Sequence, residues 1–156
     1  SNFPQAPTTG LCDRSIDRYR SRRLQRITPM AMLDHVSIGV RDIDRAKTFY
    51  DATLGPLGYS CLSQDAGSLG YGADRTEYWI SLVESPTPAD PRSGLHFCFI
   101  ARTRAAVDAF HKAALRNGGA GNGDPGLRPG YGDNYYAAFI VDPDGYRLEA
   151  YCSEKI

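Results

Sequence analysis

The sequence predicts an α+β fold of two βαβββ modules, whose strands form an incompletely closed mixed sheet around a cleft. Stretches of alternating apolar residues, typical of half-buried strands, are interleaved with two segments of helical spacing. The order of strand, helix and further strands occurs on both sides of a proline-rich segment at 85–94. Sliding the sequence by 61 residues aligns His35 with His96 and gives six identities in 25 positions, which indicates an internal repeat.

The first module begins at the segment LDHVSIGV, whose apolar residues alternate as in a half-buried strand. Asp42 is a suitable N-cap for the helix that follows, DIDRAKTFYDATLG, and the glycines of GPLG at 55–58 end this helix. Three strands are then predicted, at 59–63, 68–72 and 77–83.

The second module repeats this order. Its predicted elements are a strand at 95–101, a helix at 104–117, a Gly-rich loop over 118–136, a strand at 135–141 and, after the turn DPDG, the strand YRLEAY at 146–151. Towards the ends of the modules an offset of 68 places YWISLV over YRLEAY, so that Ser81 aligns with Glu149.

Charge and composition favour a small-molecule partner. Eighteen basic and eighteen acidic residues cancel, which argues against nucleic acid and anionic membranes as partners. No window approaches the length of an apolar membrane span. Six arginines and two aspartates make residues 1–31 a basic extension, and residues 32–156 are expected to form one domain with repeats at about 32–84 and 94–153.

The N-terminal sequence lacks the apolar stretch of a secretory signal, and the four cysteines are far apart, without the spacing of a zinc site or a dense disulfide framework. These features indicate a reducing, cytoplasmic setting.

Two histidines and a glutamate lie on the less apolar faces of their predicted strands. His35 shares its face with Ser37, His96 shares its face with Cys98, and Glu149 lies between Leu148 and Ala150. If the helices cover the apolar faces, these three side chains converge in the cleft as a 2-His-1-carboxylate set, which suits a divalent metal with open positions. A cation would offset the cost of a carboxylate inside a sheet.

Other interpretations remain open for these residues. A strand histidine is more often structural than a ligand, and Glu149 has Arg147 on the same face as a possible salt-bridge partner. The Gly-rich segment is either a solvated loop or a source of substrate contacts from Arg128, Tyr131 and Tyr136. Trp79 shares a strand face with Ser81 and belongs either to the cleft or to the core. His111 is expected to be a surface or helix-packing histidine.

The segments HVSIGVRDIDRAKTFYDATLGPLGY, GLHFCFIA and FIVDPDGYRLEAY resemble the vicinal oxygen chelate superfamily over residues 33–152. This superfamily includes glyoxalase I, fosfomycin-resistance proteins, extradiol dioxygenases and bleomycin-resistance proteins. The resemblance implies that His35, His96 and Glu149 are ligands of one divalent ion (Zn, Ni, Mn or Fe). It also implies a homodimer that exchanges halves, in which His35 of one chain meets His96 and Glu149 of the other.

The resemblance implies a glyoxalase-like metalloenzyme acting on a small oxygen-chelating substrate, by lyase, isomerase or thiol-transfer chemistry. Glu149 is the candidate catalytic residue, and Ser37, Trp79 and Ser81 are further candidate substrate contacts. Lactoylglutathione lyase activity is not expected, because Ser81 stands where glyoxalase I has a second glutamate. One alternative is a metal-free drug- or metabolite-binding protein of the bleomycin-resistance type, and another is an iron(II) ring-cleaving dioxygenase.

Overall fold

Two four-stranded sheets with the same strand order form the framework of the chain in a computed structural model, which describes residues 32–87, 90 and 92–155. The first module contains β1 (Val36–Val40), α1 (Ile43–Leu54), a 3-10 turn (Gly55–Leu57), β2 (Ser60–Gln64), β3 (Ser68–Gly72) and β4 (Tyr78–Leu82). The second module contains β5 (His96–Ile100), α2 (Arg104–Arg116), β6 (Ala120–Leu127), β7 (Tyr136–Val141) and β8 (Arg147–Cys152). The predicted basic extension lies outside the described residues.

Each sheet places its last strand beside its first. The orders are β1-β4-β3-β2 and β5-β8-β7-β6; the pairs β1–β4 and β5–β8 are parallel, and the other pairs are antiparallel. Neither sheet closes into a barrel. The predicted α+β fold of two βαβββ modules is therefore confirmed, with the strands divided between two sheets.

The helices begin where side chains satisfy their first backbone amides. The Asp42 carboxylate accepts a hydrogen bond from the Arg45 amide at 2.9 Å, and the Thr103 hydroxyl oxygen accepts one from the Ala106 amide at 3.1 Å. The apolar faces of both helices contribute to a common core that contains Phe49, Leu54, Val107, Phe110, Ile80 and Ile140. Among the described residues, no helix has both the length and the apolar character needed to cross a membrane.

The sequence predicted a loop for the whole Gly-rich segment. In the structure, β6 occupies the first part of this segment. This strand pairs with β7 through two register shifts, one on each side of Gly123. Its composition hides the strand: glycines remove the alternation of side chains on which strand prediction depends, and Pro125 is tolerated because β6 is an edge strand.

The strand register corrects the alignment of Ser81 with Glu149. Ser37 pairs with Trp79 across β1 and β4, and its repeat counterpart Cys98 pairs with Glu149 across β5 and β8. The position equivalent to Glu149 is therefore Trp79, and Ser81 lies two residues further along the strand. The sequence alignment had matched Tyr78 with Tyr146, and this match displaced one strand by two residues relative to the other.

The DPDG turn before β8 is held by the buried Asp142 carboxylate. Its Oδ1 accepts hydrogen bonds from the amides of Asp144 (3.0 Å) and Tyr146 (2.7 Å), and its Oδ2 accepts one from the Tyr50 hydroxyl on α1 at 2.6 Å. Burial raises the pKa of Asp142, which shows that the three donors only partly offset the loss of water. Gly145 completes the turn with a φ of 97°.

We expect Asp142→Ala to lower the free energy of unfolding by about 3 kcal/mol, because one buried hydroxyl and two amides lose their acceptor. Urea denaturation would measure the loss. Asp74→Ala is the matched control, since Asp74 is exposed, and it should change stability little. Equal stabilities of the two variants would contradict the role assigned to Asp142.

Candidate functional site

An open cleft of about 770 Å³ lies over one face of the β5–β8 sheet. Its lining combines two groups of opposite charge with aromatic and amide side chains. The lining residues are His96, Asn122, Gly130, Tyr131, Tyr135, Phe139, Arg147, Leu148 and Glu149. All of them come from the second module.

Glu149 is the buried charged group of this cleft, with 3% of its surface exposed. Its Oε1 accepts a hydrogen bond from the Tyr135 hydroxyl at 2.6 Å, and its Oε2 lies 3.4 Å from Nε2 of His96. Glu149 pairs with Cys98 of β5 and Phe139 of β7, so the pleat places these side chains on one face. The structure thus brings His96 and Glu149 together, as the alternation of their strands predicted.

Burial, together with the nearby carboxylate, keeps two neighbours of Glu149 protonated. Desolvation, followed by the charge of Glu149, raises the pKa of the Cys98 thiol to about 12, so this thiol is not a nucleophile at neutral pH. Desolvation and the hydrogen bond to Glu149 also raise the pKa of Tyr135. Tyr135 is therefore a neutral hydrogen-bond donor.

Arg147 does not neutralise Glu149. No ion pair joins the two side chains, although they point to the same face two residues apart. Instead, Arg147 donates a hydrogen bond from Nε to the Leu95 carbonyl oxygen at 3.3 Å. The interpretation of Glu149 as the salt-bridge partner of Arg147 is therefore wrong.

His35 lies outside this cleft of its own chain. Half of its side chain is exposed, and its Nδ1 lies 2.9 Å from Oδ2 of Asp34, whose other oxygen binds the Arg75 guanidinium. Within the described parts of one chain, no group of three or more His, Cys, Asp or Glu side chains is placed to hold a metal ion. The three-ligand set is therefore not assembled within a single chain, and its assembly across two chains stays a prediction.

Ser37, Trp79 and Ser81 lie on the corresponding face of the β1–β4 sheet, and none of them lines the cleft. The Trp79 ring covers Gly70 on the neighbouring strand, where an added Cβ would lie 3.0 Å from Cζ3 of the indole. Trp79 therefore covers its sheet at the position that Glu149 occupies in the other module.

The substrate contacts predicted from the Gly-rich segment do not all lie on one face of the sheet: some lie at the cleft, and one lies on the face that packs against α2. Tyr131 lines the cleft with 70% of its surface exposed. The Arg128 guanidinium lies beside it, 5.5 Å from the Phe139 ring centroid, and donates to the Asp124 and Leu127 carbonyl oxygens.

Tyr136 faces away from the cleft. Its hydroxyl donates to Asp108 of α2 at 2.8 Å, and the Arg104 guanidinium lies over its ring. The cleft tyrosine is its neighbour Tyr135, whose ring stacks on Tyr151 with centroids 4.0 Å apart. Because adjacent strand residues point to opposite faces of a sheet, the prediction of Tyr136 instead of Tyr135 selected the wrong face.

His111 is a helix-packing histidine, as expected. It is buried on α2, and its Nε2 lies 3.8 Å from the exposed Asp124 carboxylate. It does not line the cleft.

The spacing of His96 and Glu149 suits two ligands of one divalent ion. Bonds of about 2.0–2.1 Å in a tetrahedral arrangement separate neighbouring ligand atoms by about 3.3 Å. The observed Nε2–Oε2 distance is 3.4 Å. The donor set therefore fits part of a metal site, and one chain supplies two of the three predicted ligands.

The chain belongs to the Glyoxalase/Bleomycin resistance protein/Dioxygenase superfamily, whose sequence profile matches residues 32–150. This is the vicinal oxygen chelate superfamily predicted from the sequence. Its members include both enzymes and binding proteins. No curated protein matches the chain.

Solved structures agree with this family. A glyoxalase/bleomycin resistance protein from Albidiferax ferrireducens T118 is 34% identical, with a TM-score of 0.67 over 78% of this chain and 98% of that chain. A glyoxalase-related enzyme from Fulvimarina pelagi is 16% identical, with a TM-score of 0.61 over 78% and 88%. A glyoxalase I mutant from Zea mays is 22% identical, with a TM-score of 0.59 over 76% and 45%. The last two likenesses show the fold alone.

The protonated state of Cys98 leads to a test of the cleft geometry. In metal-free protein, iodoacetamide should alkylate Cys98 slowly at neutral pH, and Glu149→Gln should increase the rate severalfold because it removes the charge that raises the pKa of the thiol. Mass spectrometry would follow the reaction, with Cys61 as the internal reference. Equal alkylation rates of Cys98 in the wild-type protein and in Glu149→Gln would contradict the effect assigned to the carboxylate.

Proposed function

We propose that the chain is a metal-dependent, glyoxalase-like enzyme whose small substrate chelates the metal through adjacent oxygens. One observation carries the proposal: a buried carboxylate, Glu149, lies 3.4 Å from the His96 imidazole at the floor of an open cleft. Neither a lysine nor an arginine pairs with this carboxylate among the described residues. A divalent cation would supply the missing charge.

The third ligand in this proposal is His35 of a second copy of the chain. His35 stands immediately before β1, at the position in the first module that corresponds to His96 at the start of β5. In its own chain, His35 lies away from the cleft. The contact between its Nδ1 and Asp34 leaves Nε2 to face a metal, an arrangement common among metal-binding histidines. The proposed assembly is a homodimer, with Trp79, Ser37 and Ser81 of one copy facing the charged sheet of the other.

A bound ion would polarise a substrate oxygen, and the chain's own residues limit the remaining chemistry. Tyr135 holds Oε1 of the Glu149 carboxylate, so Glu149 would act as a base through Oε2, and only if this oxygen loosens from the ion. Trp79 occupies the position equivalent to Glu149 and supplies no second carboxylate. We therefore propose addition of an external thiol or a proton shift assisted by Glu149, and not lactoylglutathione lyase activity.

A metal-free binding protein is the second candidate. Tyr131 and Tyr135 pack edge to face with centroids 5.3 Å apart, and Phe139 lies beside them in the cleft. Aromatic faces around a buried carboxylate attract organic cations. Binding of a cationic glycopeptide drug by metal-free protein, measured by thermal shift, would favour this candidate.

The proposal also places the chain in a reducing compartment such as the cytoplasm. Cys61, Cys98 and Cys152, which are the cysteines in the described part, are free thiols.

A complementation experiment tests the shared metal site. His35→Ala and Glu149→Ala should each abolish stoichiometric binding of a divalent ion. Mixing the two variants after subunit exchange should restore about a quarter of the sites, because half of the dimers are mixed and each of these contains one intact site. Elemental analysis and calorimetry would measure the recovery.

The outcome separates the alternatives. Metal binding that survives His35→Ala would place the site within one chain. Failure of wild-type protein to bind a divalent ion would reject the metalloenzyme and leave the binding-protein candidate.

A second prediction concerns the residue that holds the carboxylate. Tyr135→Phe should weaken metal binding by about tenfold or more, because the carboxylate ligand loses the hydrogen bond that orients it. Tyr136→Phe is the matched control: it removes the same group from the neighbouring residue on the opposite face. Equal metal affinities of the two variants, measured by calorimetry, would contradict the role assigned to Tyr135.

A further inference from the structure

We propose that Arg147 is the anion-binding residue of the cleft, and that the substrate carries a carboxylate or a phosphate-like group in addition to its metal-chelating oxygens. The inference rests on the proposed function in that both concern the same cleft. It adds the substrate class, which that function leaves open, and its test requires no metal.

The position of Arg147 sets the distance between the two parts of the ligand. Arg147 and Glu149 line the cleft from the same face of β8, two residues apart, which separates their Cα atoms by about 7 Å. Arg147 pairs with His96 in the sheet register, so it stands at the end of the cleft beside the imidazole. An anion bound there would lie one strand repeat from the Glu149 carboxylate.

The guanidinium is held in place and retains donors for a ligand. Nε donates to the Leu95 carbonyl oxygen, and within the described residues neither terminal nitrogen forms a hydrogen bond or an ion pair. Arg147 is half-buried and lines the cleft. A partly desolvated guanidinium with two free terminal nitrogens suits bidentate binding of a carboxylate or a phosphate.

The other charged groups nearby already have partners. Glu149 accepts a hydrogen bond from Tyr135. Asp90 already accepts hydrogen bonds from Arg92 at 3.2 and 3.3 Å, which lower the pKa of its carboxyl, and it lies close enough to Arg147 for the charge of Arg147 to lower this pKa further. The second cation beside the cleft, Arg128, donates to backbone carbonyl oxygens. Arg147 is therefore the cation that the cleft offers to a ligand.

The rest of the lining describes the body of the ligand. Tyr131, Tyr135 and Phe139 form an aromatic wall, and Asn122 is the neutral amide in the cleft. The ligand class is thus a small acid with a flat, apolar body, whose anionic group reaches Arg147 while its neutral oxygens would reach an ion held by His96 and Glu149.

Calorimetry on the metal-free chain of residues 1–156 tests this inference with three probes of similar shape: 3-phenylpropanoate, 3-phenylpropanamide and benzylphosphonate. At least one of the two anions should bind about tenfold or more tightly than the neutral amide, as expected for a charge-assisted hydrogen bond. The anion with the higher affinity identifies the source of the charge as a carboxylate or a phosphate-like group.

Three variants locate the effect. Arg147→Gln should abolish the preference for anions and Arg147→Lys should keep part of it, whereas Arg116→Gln removes the same charge from the exposed end of α2 and should keep all of it. Equal affinity for all three probes, absence of anion binding, or a preference that survives Arg147→Gln would overturn the inference.

The two proposals fail separately. Loss of the anion preference in a protein that still binds a metal would reject the role of Arg147 alone. An anion preference in a protein that never binds a metal would reject the metalloenzyme and keep the subsite.

Discussion

The structure depends on the burial of the Glu149 carboxylate within a sheet. Moving a carboxylate out of water costs several kcal/mol unless other groups compensate. The Tyr135 hydroxyl supplies one strong hydrogen bond, His96 stands beside the second oxygen, and no basic side chain completes the pairing within the described residues. Desolvation, followed by this charge, raises the pKa of the neighbouring Cys98. The burial of this charge therefore costs stability, which a bound cation would offset.

The position of that carboxylate is set by a turn that lies apart from the cleft. A slip of one residue in β8 would exchange the faces of Glu149 and Leu148, burying the charge among the core side chains. Asp142 opposes this slip because its hydrogen bonds fix the DPDG turn immediately before the strand and tie it to Tyr50 on α1. The buried network of the turn and the cleft are therefore parts of one arrangement: the first sets the register, and the second uses it.

The sequence predicted this arrangement where alternation was intact, and failed where alternation was lost or misaligned. The faces of His96, Cys98 and Glu149 follow from period-two patterns in β5 and β8. Glycines hid β6, and a boundary error of one residue exchanged Tyr135 for Tyr136. The alignment of Tyr78 with Tyr146 placed Ser81 opposite Glu149, whereas the strand register makes Trp79 the equivalent residue. The sequence indicates Arg147 only as a partner for Glu149, because a sequence does not show which hydrogen bonds a side chain leaves unused.

The two modules have the same topology but opposite chemistry on their corresponding faces. At the positions that pair across the parallel strands, the second module has Cys98 beside Glu149, and the first has Ser37 beside Trp79. The indole lies over Gly70, where an added Cβ would crowd it, and the uncharged Ser37 and Ser81 share this face. If the two faces meet across a dimer, the first module contributes His35 and the Trp79 indole, and the second contributes the charges. The indole would exclude water from the carboxylate and strengthen its attraction for a cation, because electrostatic interactions gain strength as the surrounding dielectric falls.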